Sequence, residues 1–186
     1  IMVNDIPPAS VTELGGATFT AALCCEYYLD KLFIANTIEG GVWYPNRLRY
    51  SKTGDPTDWT TALDAGTFDI PLAGGATGGC GIRGLRLYRG RLYMLTDVSI
   101  HVLTGTTDAT FGSERIRFQN RGAGATMFPV GDFLFYADRD GIWQFNGYEA
   151  INLTQRDMLT QWEELDKEND IAVATASFDE QDSLYR

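Results

Sequence analysis

A four-residue phrase, Asp/Gly-x-Leu-Phe/Tyr, returns four times along the chain and constrains the fold more than any other feature. Its copies are Asp30-Lys31-Leu32-Phe33, Gly90-Arg91-Leu92-Tyr93, Asp132-Phe133-Leu134-Phe135 and Asp182-Ser183-Leu184-Tyr185. The leucines of successive copies are separated by 60, 42 and 50 residues, which are spacings typical of a structural repeat. We interpret each copy as one unit of a repeat protein.

The phrase predicts a turn followed by a buried strand. Asp or Gly supplies the turn, and the apolar and aromatic residues that follow suit a strand in the middle of a sheet. Around the third copy the pattern predicts strands at 125–128, 133–137, 142–145 and 148–153. The last two are joined by Asn146-Gly147, a strong hairpin signal because both residues tolerate positive φ. Four antiparallel strands in a meander make one β-propeller blade.

The other copies follow the same plan less regularly. The second predicts strands at 85–88, 92–96, 99–103 and 113–118. The first predicts strands at 19–26 and 32–35, an insertion over 37–45 that explains the longer spacing, and a strand at 47–50. We therefore predict an all-β fold of four-stranded antiparallel blades, a partial β-propeller of about three to four blades. The predicted boundaries are a connector at 1–16, blades at about 17–72, 80–118 and 122–153, a helix at 154–169 and the start of a further blade at 171–186.

One amphipathic helix is predicted near 154–167. Asn152 or Thr154 is its expected N-cap, and its apolar stripe consists of Met158, Leu159, Trp162 and Leu165. The stripe has two interpretations, packing on the preceding blade or docking of a partner.

Closure is a second constraint, because propellers have four to eight blades that must bury one another's flanks. Three blades and a fragment do not close a ring. We expect that the chain is an excerpt of a longer one, or that other copies or partners supply the missing blades. No apolar run approaches the ~18 residues of a membrane helix, and the N-terminus lacks the pattern of a signal peptide.

Residues suited to catalysis or metal binding are scarce. The three cysteines, Cys24, Cys25 and Cys80, lack zinc-site spacing and are expected to be buried thiols. The single histidine, His101, alternates with Ile100 and Val102 and is expected on a strand face. The sequence predicts no catalytic residue, no metal site and no cofactor site.

Three further segments and one set of scattered residues bear on function. Residues 51–59 resemble the Asp-box turn of sialidases, but the order of Gly54 and Asp55 differs, so we predict a Pro-fixed turn anchored by Trp59. Asp138-Arg139-Asp140-Gly141 lacks the later ligands of a calcium loop and predicts a hairpin turn. The glycine-rich segment 74–81 has no Lys-Ser/Thr and predicts a flexible connector. A set of basic and aromatic residues indicates either a protein interface or charge protection of edge strands: Arg47, Arg49, Tyr50, Arg83, Arg86, Arg89 and Arg91.

The net charge of −10 argues against a simple duplex-binding protein, which needs a basic surface. Acidic residues concentrate toward the C-terminal end, where an acidic wall would repel phosphate and keep a passing duplex mobile. They are Glu163, Glu164, Asp166, Glu168, Asp170, Asp179, Glu180 and Asp182.

Three stretches, taken in order, resemble the propeller region of bacteriophage tail proteins. They are Asn46-Arg47-Leu48-Arg49-Tyr50-Ser51 with Gly54-Asp55-Pro56 and Trp59, then Leu87-Tyr88-Arg89-Gly90-Arg91-Leu92-Tyr93, then Asp140-Gly141-Ile142-Trp143-Gln144-Phe145-Asn146-Gly147. The chain is similar over about residues 17–186 to the nozzle (tail tubular) and tail-hub or DNA-stabilisation proteins of short-tailed phages.

This resemblance implies a structural protein and not an enzyme. It implies several copies in a ring around the tail channel, with a portal or adaptor above and fibres or a needle below. DNA would pass without sequence-specific binding, no membrane would be involved, and the protein would lie in the virion or, during assembly, in the bacterial cytoplasm.

Two alternatives remain open. A carbohydrate-binding or sialidase-like propeller would need a central cluster to which Arg83, Arg86 and Asp97 contribute, although nothing in the spacing selects a pair of carboxylates for hydrolysis. The other alternative is a general protein-interaction propeller, which shows no kelch or Trp-Asp signature here. In every case the predicted turn and anchor residues are Asp30, Leu32, Gly90, Leu92, Asp132, Leu134, Asp182, Leu184, Trp59, Trp143, Asn146 and Gly147.

Overall fold

Three four-stranded antiparallel sheets follow one another along the chain in a computed structural model, which describes residues 19–71, 81–118, 122–165, 174–176, 178–179 and 184–185. Blade 1 contains β1 (Phe19–Tyr28), β2 (Lys31–Glu39), β3 (Val42–Tyr50) and β4 (Gly66–Asp69). Blade 2 contains β5 (Ile82–Tyr88), β6 (Arg91–Thr96), β7 (Ser99–Thr104) and β8 (Gly112–Phe118). Blade 3 contains β9 (Ala123–Val130), β10 (Phe133–Asp138), β11 (Gly141–Phe145) and β12 (Ala150–Asn152). The predicted all-β fold of four-stranded antiparallel blades is confirmed.

The chain continues beyond blade 3 with short elements. Two short helices follow, α1 (Thr154–Asp157) and α2 (Leu159–Glu163). In the region of the fourth phrase, β13 (Phe178–Asp179) pairs antiparallel with β14 (Leu184–Tyr185).

The insertion predicted at 37–45 was wrong. Strands β2 and β3 run through this segment and meet at Gly40-Gly41, whose φ angles of 54° and 81° suit a tight hairpin turn. Pro45 suggested a break, but it lies where the pairing of β2 with β3 shifts register, a place where a strand tolerates proline. Part of the extra length of the first unit lies in the loop over 51–65, which is longer than the corresponding loops of blades 2 and 3.

Blade 2 shows what the repeated phrase does. Its Leu92 and Met94 pack in the core shared with blade 1, while the alternate residues Tyr93 and Leu95 pack in the core shared with blade 3. Successive strand residues point to opposite faces, so one strand contributes to two cores. Blade 2 is therefore buried on both faces.

The same alternation holds in the flanking blades. Leu134 and Tyr136 of blade 3 pack toward blade 2, and Phe33 and Ala35 of blade 1 also pack toward blade 2. The leucine thus faces the preceding blade in the second and third phrases, and the aromatic residue faces the following blade in the first and second phrases. Leu32 accordingly lies on the face of blade 1 that points away from blade 2, where it is half-buried.

The single helix predicted near 154–167 is divided into α1 and α2 at Met158, whose φ of −136° is not helical. Of the two expected caps, Asn152 accepts a hydrogen bond from the backbone N–H of Gln155 at 3.1 Å. The buried hydroxyl of Thr154 instead accepts a hydrogen bond from the backbone of Ile142 in β11 at 2.8 Å.

The predicted apolar stripe of this segment packs through one residue. Trp162 is buried against Ala137 of blade 3, and its indole N–H donates to the carbonyl of Arg139 at 3.1 Å. The other members of the stripe, Met158, Leu159 and Leu165, are substantially exposed. Trp162 thus contacts the preceding blade, and partner docking by the exposed members stays a prediction.

Candidate functional site

The first strands of the three blades lie side by side, β1 against β5 and β5 against β9, and we call them the inner strands. At the β5–β9 contact two glycines meet. A Cβ atom on Gly84 would lie 2.5 Å from the carbonyl oxygen of Gly124, and one on Gly124 would lie 2.0 Å from the carbonyl carbon of Arg83. Only glycine permits two backbones to approach this closely.

A repeated hydrogen bond joins two of the inner strands, β1 and β5, to the next blade. The hydroxyl of Tyr28, the last residue of β1, donates to the carbonyl of Gly90 at 3.0 Å. The hydroxyl of Tyr88, the last residue of β5, donates to the carbonyl of Asp132. We call this pair the tyrosine bridges. Their acceptors are the first residues of the second and third phrases.

Sequence reasoning missed the tyrosine bridges, although a signal was present. Tyr28 and Tyr88 each stand two residues before a copy of the phrase, so the repeat extends to Tyr-x-Asp/Gly-x-Leu-Phe/Tyr in two copies. The equivalent residue at the end of β9 is Val130, which has no hydroxyl to donate.

Arg86 of blade 2 contacts both neighbouring blades. Its Nε donates to the carbonyl of Met127 in β9 at 2.9 Å, and its guanidinium lies 5.5 Å from the ring centre of Phe128. On the other side its Nη1 lies 3.6 Å from the Glu26 carboxylate, which also accepts the backbone N–H of Leu87 at 3.3 Å. Arg86 therefore spans the inner strands of all three blades.

A second contact between blades 1 and 2 lies farther from the inner strands, in a group we call the rim cluster: Phe33, Tyr50, Asp108 and Phe111. The ring of Phe111 packs edge-on against Tyr50 at 4.9 Å and against Phe33 at 5.6 Å. The Tyr50 hydroxyl donates to the Asp108 carboxylate. Burial, followed by this carboxylate, raises the pKa of Tyr50, so the phenol stays a neutral donor.

The loop over 51–65 folds back onto blade 1. Trp59 is buried and packs edge-on against Phe19 at 5.0 Å, which places it as an anchor. The buried ammonium of Lys31 donates to the carbonyl of Ser51 at 3.2 Å and pairs with the Asp64 carboxylate at 2.5 Å. The hydrogen bond from Lys31 lowers the pKa of Asp64. These contacts give the loop a structural role.

This loop also occupies the position at which a tyrosine bridge would arrive in blade 1. The carbonyl of Asp30, the first residue of the first phrase, accepts the backbone N–H of Gly54 at 2.7 Å. Gly54 supports this turn with a φ of 72°. In blades 2 and 3 the equivalent carbonyl accepts a tyrosine hydroxyl from the preceding blade. In blade 1 this carbonyl is bonded by the blade's own loop.

The basic residues predicted to form one outward face are distributed over separate intramolecular contacts. Arg47 bonds Asp69 at 2.8 Å and stacks 3.8 Å from the ring centre of Tyr44. Arg49 pairs with Glu39 at 2.9 Å, and Arg83 pairs with Asp97 at 2.6 Å. Tyr50 is buried in the rim cluster, whereas Arg91 is exposed. Arg89 donates to the carbonyl of Asn146 in blade 3 at 3.0 Å.

His101 lies on a strand, as its alternation predicted, and it is buried. Its Nε2 lies 2.9 Å from the Ser99 hydroxyl, which lies 2.9 Å from the Thr96 hydroxyl. No hydrogen-bond partner for Nδ1 is found among the described residues. Burial, with the nearby Arg115 charge, lowers the pKa of His101 and favours the neutral ring. The described residues therefore do not supply the carboxylate at Nδ1 that a nucleophilic triad needs.

Neither of the two described cysteines has the lowered pKa that activates a thiol nucleophile. Cys24 is half-buried and packs against the core of blades 1 and 2, and burial raises the pKa of its thiol to about 12. Cys25 is exposed, contrary to the prediction of a buried thiol, because it lies on the opposite face of β1. Cys80 and most of the glycine-rich segment 74–81 lie outside the described residues. Within the described part of the chain, no group of three or more His, Cys, Asp or Glu side chains is arranged to hold a metal ion.

The remaining turn residues lie mainly in blade 3. Asp138 accepts the backbone N–H of Asp140 at 2.8 Å and the indole N–H of Trp143 at 2.7 Å within the β10–β11 hairpin turn. Asn146 accepts the backbone N–H of Tyr148 at 2.9 Å, and Gly147 has a φ of 103°.

The phrases combine exposed turn residues with buried strand residues. Leu92 and Leu134 are fully buried, while Asp30, Gly90 and Asp132 are exposed turn residues. Leu184 lies in β14, and Asp182 lies outside the described residues. Of the C-terminal acids, Glu163 and Glu164 are described and are exposed.

No helix within the described ranges is long and apolar enough to cross a membrane. Comparison of the chain with protein-family models and with curated proteins found no match in either.

Proposed function

We propose that this chain is a structural propeller module of a bacteriophage or prophage tail, which assembles with other tail proteins around the channel through which DNA leaves. The observation that carries the proposal is the use made of its polar side chains. Three residues that a sugar-binding cluster would need are already engaged: Arg86 joins the blades, and Arg83 and Asp97 pair with each other within blade 2. The resemblance to nozzle and hub proteins supplies the location.

The packing supports a rigid scaffold rather than a catalyst. Blade 2 is buried on both faces, and side chains of the inner strands reach across both of its interfaces. A rigid, acidic scaffold with a net charge of −10 suits a wall along which DNA slides, because like charges repel the phosphate backbone. Partners under this proposal are further copies of the chain, a portal or adaptor, and fibres or a needle.

Electron microscopy with mass photometry of the full-length gene product tests the proposal. Rings of several copies with a central hole are the expected result. A single closed propeller that remains monomeric would contradict it and would favour a binding module.

Carbohydrate binding is the second candidate, and one observation favours it. Trp43 is 57% exposed on β3, yet its indole N–H is fixed by the side chain of Asn36 at 2.5 Å. A fixed, exposed aromatic ring is a suitable surface for stacking a sugar. Binding on a glycan array that is lost in Trp43→Ala would support this candidate, and absence of binding would remove it.

A further inference from the structure

One face of β1 is apolar and uncovered. Leu23 is 56% exposed, Tyr27 is 50% exposed, and Cys25 between them is also exposed. They alternate with Cys24, Glu26 and Tyr28, which contact blade 2, so they lie on the face that points away from blade 2. No charged residue occurs between positions 19 and 25. We call Leu23, Cys25 and Tyr27 the β1 face.

The equivalent positions in blades 2 and 3 are covered by the preceding blade. The three inner strands end at Tyr28, Tyr88 and Val130. Cys25 stands three residues before the end of its strand, and the residues at the same distance in the other two strands are Leu85 and Met127. Leu85 is 4% exposed in the core shared with blade 1, and Met127 is fully buried in the core shared with blade 2. The β1 face is therefore the position of a third such interface.

The loop over 51–65 leaves this surface open. Trp59 contacts Phe19 at the start of β1, and Gly54 binds the turn at Asp30. The loop thus reaches both ends of β1, while the residues between them remain exposed. At both existing interfaces the inner strands of the two blades lie against each other. The part of blade 1 that the loop leaves uncovered is therefore the part that would meet the inner strand of a neighbouring blade.

We propose that the β1 face is the docking surface for the inner strand of a further blade. This further blade precedes blade 1 in the same way that blade 1 precedes blade 2. The occupant follows from continuity with the two existing interfaces, each of which places an inner strand at this position. It presents apolar side chains, because the β1 face offers no charged partner. This inference deepens the proposed function as an assembly module, and it rests on the blade architecture and not on a location in a tail.

The new interface differs from the other two in one respect. The carbonyl of Asp30, where the hydroxyl of a tyrosine bridge from the preceding blade would donate, already accepts the N–H of Gly54. Apolar contact on Leu23, Cys25 and Tyr27 must supply the stability of this interface.

Site-specific photocrosslinking tests the occupant. Tyr27 is replaced by the photoreactive aromatic analogue p-benzoylphenylalanine in the full-length gene product, and crosslinked peptides are identified by mass spectrometry. A crosslink to a strand of a further blade supports the proposal. A crosslink only to residues 1–18, a crosslink to the β1 face of a second copy, or no crosslink in the folded protein overturns it.

Thiol labelling gives an independent readout with a matched control. In a background in which every other cysteine is replaced, Cys25 of the full-length protein should react with a maleimide at least about tenfold more slowly than after unfolding, as expected for a covered position. Leu23→Glu should restore fast labelling, whereas Leu63→Glu, at an exposed position outside the β1 face, should not. Fast labelling of the folded parent overturns the proposal. Neither readout depends on ring formation. The docking proposal can therefore fail while the tail proposal stands, and the tail proposal can fail while the docking proposal stands.

Discussion

The two interblade interfaces share a plan but differ in what brings the blades together. Each has an apolar core, an alternating strand and a tyrosine bridge. Between blades 1 and 2, the rim cluster adds aromatic contacts around Phe111. Between blades 2 and 3, the backbones of Gly84 and Gly124 touch instead. The first interface therefore adds side-chain packing at its rim, whereas the second adds a backbone approach that requires two positions without a side chain.

The ion pair between Glu26 and Arg86 contributes less to this difference than its position suggests. The two side chains are partly exposed and their charged atoms lie 3.6 Å apart, and such pairs typically stabilise a protein by less than about 1 kcal/mol. The shorter bond from Arg86 to the carbonyl of Met127 belongs to the second interface. The difference between the interfaces is therefore tested by changing the packing of the rim cluster and the backbone approach of Gly84 and Gly124.

The largest effect is expected for Gly124→Ala at the second interface. The added Cβ would lie 2.0 Å from both the carbonyl carbon and oxygen of Arg83, so β5 and β9 must separate along their contact. We expect a loss of about 3 kcal/mol or more in the free energy of unfolding, the upper range for overpacking, measured by urea denaturation.

Gly112→Ala is the matched control for that variant. At Gly112 the new Cβ meets only the Thr104 hydroxyl at 3.2 Å, and the glycine does not have a left-handed φ. A stability near that of the parent is expected. If Gly124→Ala unfolded no more easily than Gly112→Ala, the close backbone approach between blades 2 and 3 would be refuted.

The next effect is expected at the first interface, for Phe111→Ala. This ring is half-buried and contacts Tyr50 and Phe33, so its removal should cost about 2 kcal/mol, below the range for a fully buried phenylalanine. The urea midpoint should fall, and hydrogen exchange should rise first in β2 and β3. Faster exchange confined to blade 3 would show that the rim cluster does not join blades 1 and 2.

The tyrosine bridges permit a direct comparison of the two interfaces by one chemical change. Tyr88→Phe removes a hydroxyl from a buried residue and should cost about 1 kcal/mol, whereas Tyr28→Phe, at a more exposed bridge, should cost only a few tenths of that. Tyr148→Phe, whose side chain is almost fully exposed, serves as the control. If the two variants lost the same free energy of unfolding, the different burial of the two bridges would not determine their contributions.

The blade plan could be predicted from the sequence because local chemistry determines it. Asn146-Gly147 requires a hairpin, and the Leu-aromatic alternation of the phrase places side chains on two faces whatever the neighbours are. The hairpin through Gly40-Gly41 was missed because Pro45 normally interrupts a strand, and only the register shift beside it explains its presence.

The candidate site was less predictable because it depends on contacts between distant residues. Nothing local to Arg86 indicates that it spans three blades, and nothing around Gly124 indicates that β5 lies against it. Tyr28 and Tyr88 were recognisable from their spacing before the phrase. Their acceptors, 62 and 44 residues away in sequence, were not.

The smallest effect is a pH dependence that should weaken the first interface in particular. His101 pairs with Met94 across β6 and β7, and Met94 belongs to the core shared with blade 1. Burial, and then Arg115, lowers the pKa of His101 in the folded state below the ordinary value of 6.5. The unfolded chain therefore binds this proton more readily. The stability due to the neutral ring is complete above pH 6.5 and is lost as the pH falls from 6.5 through the lowered folded-state pKa.

Urea titrations of the parent and of His101→Gln between pH 7.5 and pH 5 measure this contribution. The midpoint of the parent should fall on acidification, and that of His101→Gln should fall less, because glutamine keeps a polar group near Ser99 but does not titrate. Acid should also increase hydrogen exchange in β6 and β7 before it does so in β10. Parallel curves for the two proteins would assign the pH dependence to other groups. Exchange that rises first in blade 3 would contradict this prediction. The second interface brings together the backbones of Gly84 and Gly124, which carry no titrating side chain.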